Sequence, residues 1–382
     1  MTMDNTKYLD SLLCELDGKH SDTMRQSLRA QSVTLDELRS QPVTIVGAAD
    51  EGVRLLSILE SLNTHDVLIV DMDQAKVGQV AHAHHQIQPF CKSNVESRHV
   101  ILATHRTSKA FNTCKEMHAC SVNTFMHLQL LYPQTFKPHF FHENMLETLL
   151  DNVPALKVLQ GKLADDLSVG VLASCLDYRL HGDPSVLAPY IDWELYLPTG
   201  IDLSRFASHY VDCGSFDGDS VALHINRYPD TVKGAYAFEP DPVTFARLSE
   251  NMAHFGFVQC VNKGVGNSVT KLGFSANKER ASLFSEAGEL RIDITTLDNE
   301  LAQFTPSMIK MNIEAFEPFA LEGATQTIQR TLPLLAISVY HQPEHIFSLQ
   351  RQVENIAPGR YQFYLRQHDG GLVETVLYAV PL

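Results

Sequence analysis

No run of eighteen apolar residues occurs in this 382-residue sequence, so no segment is long enough to span a bilayer as a helix. Cysteine pairs are missing as well. The seven cysteines (Cys14, Cys91, Cys114, Cys120, Cys175, Cys213 and Cys260) are scattered and form no Cys-x-x-Cys. That argues against a disulfide framework and fits a reduced, cytoplasmic chain in which the thiol serves as a small apolar group. The first twenty residues have no basic stretch followed by an apolar one, so no secretory signal is expected. Cations are scarce: 30 Lys and Arg against 45 Asp and Glu give a formal charge of −15 and a pI near 5.6. With no basic stripe and no Asn-Pro-Pro-aromatic motif, a nucleic-acid substrate is not expected. Gly-x-Gly-x-x-Gly is absent, which weakens any dinucleotide reading. The histidines His82, His84, His85, His139 and His142 follow neither His-Glu-x-x-His nor His-x-x-Glu-His, and no metal is expected.

What is present reads as α/β. Residues 1–40 are helical: Leu9, Leu12, Leu13 and Leu16 recur at helical spacing, and Thr34-Leu-Asp-Glu37 is a capping box. Residues 41–150 read as a small Rossmann-like domain. Its strands are Val43–Val46, Val67–Val70 and Val100–Ala103, with a glycine-bounded turn from Gly47 to Gly52 followed by Asp71. Residues 151–207 are expected to be a mainly helical connection interrupted by prolines. Residues 208–382 alternate strand and helix, with seven expected strands: Tyr210–Cys213, Gly234–Glu239, Val258–Asn262, Met308–Ile313, Leu334–Tyr340, Tyr361–Arg366 and Thr375–Val380. The expected fold is a doubly wound seven-stranded sheet preceded by the smaller domain.

The chemistry concentrates at Tyr210-Val-Asp-Cys-Gly-Ser-Phe-Asp-Gly-Asp-Ser220. A strand ends near Asp212, Gly214 and Gly218 bound a turn, and a helix opens near Asp219. In a doubly wound sheet, ligands sit beside such a turn, and glycine there lets backbone approach the ligand. Asp212, Asp217 and Asp219 would repel a diphosphate but suit a cofactor with amino and sulfonium cations. At the end of the second strand, Glu239 of Phe238-Glu-Pro-Asp-Pro242 can accept two ribose hydroxyls.

Together with Thr296-Leu-Asp298, Ile309-Lys-Met-Asn-Ile-Glu314, Ile337-Ser-Val-Tyr-His341 and Glu374-Thr-Val-Leu-Tyr-Ala379, these motifs resemble the FkbM-type methyltransferases over residues 208–382. The resemblance implies a class I methyltransferase fold, S-adenosylmethionine as donor, and O-methylation of a small hydroxylated acceptor such as a saccharide. Asp212, Gly214, Ser215, Gly218, Asp219, Glu239, Pro240 and Asn262 are the expected cofactor residues. One motif departs from the family pattern, which reads Lys-x-Asp-x-Glu-Gly. Here Asn312 replaces the acid, and Ala315 and Phe316 replace smaller residues, so a narrowed pocket is expected. His341, Glu314 and Asn312 are the candidate catalytic groups, with His341 as base because an imidazole titrates in the useful range. A catalytically silent binding protein and an NAD-dependent oxidoreductase using the first domain are the alternatives. A role for that first domain in binding a partner protein or a second copy also stays open.

Overall fold

A computed structural model describes residues 4–104, 107–275, 283–284 and 290–382. Three short helices lead in, Asn5–Leu16, Ser21–Arg29 and Leu35–Ser40. The last is opened by the expected box, in which the Thr34 hydroxyl accepts the Glu37 amide and the Glu37 carboxylate accepts the Thr34 amide.

The first sheet comprises β1 (Val43–Val46), β2 (Val67–Asp71), β3 (Gln88–Pro89), β4 (His99–Leu102) and β5 (Ser121–Thr124) in the order β3-β2-β1-β4-β5, all parallel. Helices on both faces bury β1 and β4 completely, which is why their sequences are apolar without alternation. Sequence reading missed β3 and β5 because Gln-Pro and Ser-Val-Asn-Thr carry no apolar run.

The second sheet comprises β6 (His209–Cys213), β7 (Gly234–Phe238), β8 (Val258–Val261), β9 (Met308–Met311), β10 (Leu334–Ser338), β11 (Tyr361–Gln367) and β12 (Thr375–Pro381). Their order is β8-β7-β6-β9-β10-β12-β11, with only β12 antiparallel to its neighbours. Both faces are buried. Val211, Ile309, Leu335 and Leu377 point into one core, and Tyr210, Met308, Leu334 and Tyr378 into the other. Between β9 and β10 the chain forms two helices, Glu317–Glu322 and Thr325–Thr331. A small sheet unforeseen from the sequence, built on Gly264–Val265, Thr270–Ser275, Leu283–Phe284 and Leu290–Thr295, is inserted between β8 and β9.

The second sheet shares its core with helices that precede it in the chain. Leu9, Leu13, Val171, Leu176 and Leu180 from the helices before residue 182 pack in the same cluster as Ile309, Leu335 and Leu377 of the second sheet. Helix Asp166–His181 lies against β11. There the fully buried Arg366 donates to Asp165 at 2.7 Å and to the Ser168 hydroxyl at 2.9 Å. No described helix is long and apolar enough to cross a membrane.

Candidate active site

A cavity of about 660 Å³ opens at the carboxyl ends of β6, β7, β9 and β10. Strand order reverses between β6 and β9, and crevices at such switch points are where open α/β sheets bind ligands. At the corresponding end of the first sheet the cavity beside Glu51, Ala103 and Thr124 is only about 20 Å³. The glycine turn there serves the fold: a side chain at Gly52 would strike the Gly47 carbonyl, and Asp71 accepts the Ala48 and Asp73 amides.

One half of the large cavity is built by the turn after β6. Gly214 (φ +80°) lies on its wall, whereas Gly218 (φ +92°) does not. Both are needed for a reason the sequence did not show. A Cβ at Gly214 would lie 2.0 Å from the Asn312 carbonyl, and one at Gly218 2.8 Å from Met252, so the glycines permit close packing of the turn against its own sheet and helix. Asp212 and Ser215 are likewise fully buried beneath the cavity, outside its wall. Asp212 takes the Lys310 ammonium at 2.8 Å and the Ser220 hydroxyl, and Lys310 also donates to the Gly214 carbonyl at 2.7 Å. The pair therefore welds β6 to β9.

Glu239, Pro240 and Asp219 line the cavity. The Glu239 carboxylate accepts the Phe216 amide at 3.0 Å and the Asp241 amide at 2.9 Å. Burial pushes its pKa up to about 7 despite those two donors. Asn262 is not at the wall. Its amide donates to the Glu239 and Pro240 carbonyls and so holds the loop that presents Glu239, while Lys263, Gly264 and Val265 line the cavity beyond it.

The other half carries polar groups from β9, β10 and two preceding or following loops. Asn312 donates to the Tyr196 hydroxyl at 2.9 Å and accepts from the Tyr340 hydroxyl at 3.4 Å. Glu314 and Glu374 complete the wall. Burial raises the Glu314 pKa to about 7, with the Glu317 and Glu374 carboxylates adding to it and His341 opposing. Its Oε2 is buried without a hydrogen-bond partner. Glu314 and Ala315 are both left-handed, at φ +53° and +76°, a conformation that turns Glu314 into the cavity at a cost in backbone strain.

His341, expected beside the crevice, is fully buried and does not reach the wall. Its Nδ1 is 2.8 Å from Glu317 Oε1, and its Nε2 is 3.8 Å from Glu314 Oε2, so it meets the cavity only through Glu314. Burial works against protonation of His341, but the carboxylates of Glu317 and Glu314 outweigh it and raise its pKa. Phe316 does not narrow the cavity: it turns away and packs on Phe319, ring centroids 5.1 Å apart.

Sequence reasoning missed Tyr196 and Tyr340. Tyr196 comes from the proline-punctuated loop before β6, which has no periodicity to read. It adopts φ +63° and covers the Lys310 ammonium, 5.2 Å from its ring centroid.

A family model described as the Methyltransferase FkbM domain matches residues 212–364, the span that builds nearly all of this cavity. Residues 212–364 thus match the FkbM methyltransferase domain. The crystal structure of Methyltransferase FkbM from Methylobacillus flagellatus KT is similar over 98% of this chain and 98% of that chain, with TM-score 0.71 and 20% identity. The FkbM domain and the smaller sheet before it thus recur together in one fold. Fibrillarin from Aeropyrum pernix, solved with natively bound S-adenosyl-L-methionine, covers 46% of this chain and 68% of its own at 10% identity. Its TM-score of 0.30 is too low to support an argument. No curated protein matches the chain.

Proposed function

We propose that the protein transfers a methyl group from S-adenosylmethionine to a hydroxyl of a small acceptor, a saccharide or similarly hydroxylated metabolite. The observation that carries this reading is one cavity with two chemically distinct halves. Around Gly214, Asp219, Glu239 and Pro240 it offers carboxylates to hydroxyls and cations. Around Asn312, Glu314, Tyr340 and Glu374 it offers a half-buried base among hydrogen-bonding groups.

The donor fits the first half. Glu239 is a carboxylate held in place by two backbone amides, and its ionised form gains from the two further donors that a ribose would bring. Bound there, S-adenosylmethionine supplies a methyl group already activated by its sulfonium. The protein's tasks are to hold the acceptor in line and to remove its proton. Glu314, whose side chain is partly exposed at the wall, receives the hydroxyl proton, while Asn312, fixed between Tyr196 and Tyr340, orients the acceptor. His341 acts from behind as a positioning residue. Clamped on Glu317, it keeps a positive ring near Glu314 and favours the ionised base. The free thiols support a reducing compartment, the cytoplasm.

Calorimetric titration with S-adenosylmethionine and S-adenosylhomocysteine tests the donor half. Micromolar binding, weakened at least about tenfold in Glu239→Gln, is expected. No binding of either ligand to the folded wild-type protein would sink the proposal.

A further inference from the structure

We infer that the edge of the first domain holds a zinc-class divalent cation between Glu60, His84 and His85. The sequence motif fails because the carboxylate lies more than twenty residues from the histidines and arrives from another element. His82 and His85 are directly opposed on a short antiparallel hairpin, Val80–His82 paired with His85–Gln86, and His84 stands in its two-residue turn. Glu60 ends the neighbouring helix Asp50–Ser61.

One ligand atom each from Glu60, His84 and His85 lie within 4.8 Å of one another. His85 Nε2 is 3.1 Å from Glu60 Oε1, and His82 Nε2 is 3.7 Å from Glu60 Oε2. Ligands on a tetrahedral zinc, with bonds of about 2.0–2.1 Å, are separated by roughly 3.3 Å, so the 3.1 Å between His85 and Glu60 already fits and His84, within 4.8 Å, needs only a side-chain movement to close in. Among the described residues, the ion pairs of Glu60 are with His82 and His85 and with no lysine or arginine, so no resident cation competes. Two imidazoles and one carboxylate suit zinc and its late-transition neighbours, and are a poor donor set for calcium or magnesium. Bound there, the ion ties the hairpin to the helix. It lies in the first domain and does not depend on the methyl-transfer reading.

The test is calorimetric titration of tag-free, chelator-stripped protein with zinc chloride, together with thermal melting. One equivalent bound at micromolar Kd or tighter is expected, with the melting temperature raised by roughly 5 °C at a hundredfold excess over Kd. His84→Ala, His85→Ala and Glu60→Gln should each weaken binding at least about tenfold. All three positions are at least partly exposed, so the variants should melt like the wild type without metal. His20→Ala, at an exposed histidine elsewhere, should leave binding unchanged. Absence of stoichiometric binding would overturn the assignment. So would binding that survives the three substitutions, which would mark scattered surface histidines as the ligands.

Discussion

A single carboxyl group can be tuned to two different tasks by what surrounds it, and Glu314 and Glu239 divide the cavity in this way. Glu314 has no hydrogen bond to its buried Oε2 and a pKa raised to about 7 by burial, so it can take a proton near neutrality and is half-protonated there before substrate binds. Because a base acts when ionised, kcat/KM should fall as pH drops below about 7. Glu314→Gln should lower kcat by about 10²–10⁴ while leaving S-adenosylhomocysteine affinity near wild type. A radiolabelled-methyl assay beside a binding titration separates the two. Equal loss of kcat and of binding would show that Glu314 holds the donor instead. At Glu239 the sign is the same but the quantity differs. If the ligand's hydroxyls bind the ionised form, whose pKa in the free protein is about 7, then donor affinity should be about fivefold weaker at pH 6 than at pH 7. Glu239→Gln should bind weakly at both pH values with no such dependence.

Between the residues and the sheet stands the turn after β9, where an expectation from sequence takes on a physical meaning. The family pattern has glycine where this chain has Ala315, and the structure puts that residue at φ +76°. A left-handed alanine costs about 1–2 kcal/mol, partly offset because glycine leaves a freer unfolded chain. Ala315→Gly should therefore stabilise the protein by about 0.5–1 kcal/mol, read as a higher urea midpoint at unchanged slope. A lower midpoint would mean that the alanine methyl packs usefully and that the strain is small. On the neighbouring strand β6, Asp212→Asn would leave the Lys310 ammonium, only 3% exposed, without its counter-charge. A loss of about 3–5 kcal/mol is expected, measured in the same way. Elements of this kind were unequally legible. The parallel strands β1, β4, β6, β7 and β9 show as short apolar runs because both faces are buried. The small sheet around Thr270–Ser275 and Leu290–Thr295 has polar, part-exposed strands and gives no such signal. The glycines and acids of the first turn were readable as a motif, but which of them face the cavity was not. That depends on the pleat of β6, which sends Asp212 toward Lys310, and on how near β9 passes.

Over the whole molecule, the decisive fact is that the catalytic sheet does not own its core. The cluster beneath β9 and β10 includes residues from the first helix and from helix Asp166–His181, and Arg366 of β11 is buried by Asp165 and Ser168 of that helix. The cavity is shared in the same way, since Leu195 and Tyr196 precede the FkbM-like span. Sequence alternation marks where a sheet begins, but it says nothing about which earlier helices cover that sheet, because covering depends on contacts more than a hundred residues apart. A fragment of residues 208–382 should therefore fail in two separable ways. Stripped of its helical cover, it should expose the Leu335–Ile337 face and melt well below the full chain, or aggregate, while the intact protein melts in one cooperative transition. Lacking Tyr196, it should also bind S-adenosylhomocysteine at least about tenfold more weakly even where it folds, and full-length Tyr196→Ala isolates that second loss. Two well-separated transitions in the intact chain, with a fragment that keeps full affinity, would instead show that the first 207 residues are an appendage. The continuity of apolar packing from Leu9 to Leu377 argues that the helices among them are the other wall of the same core.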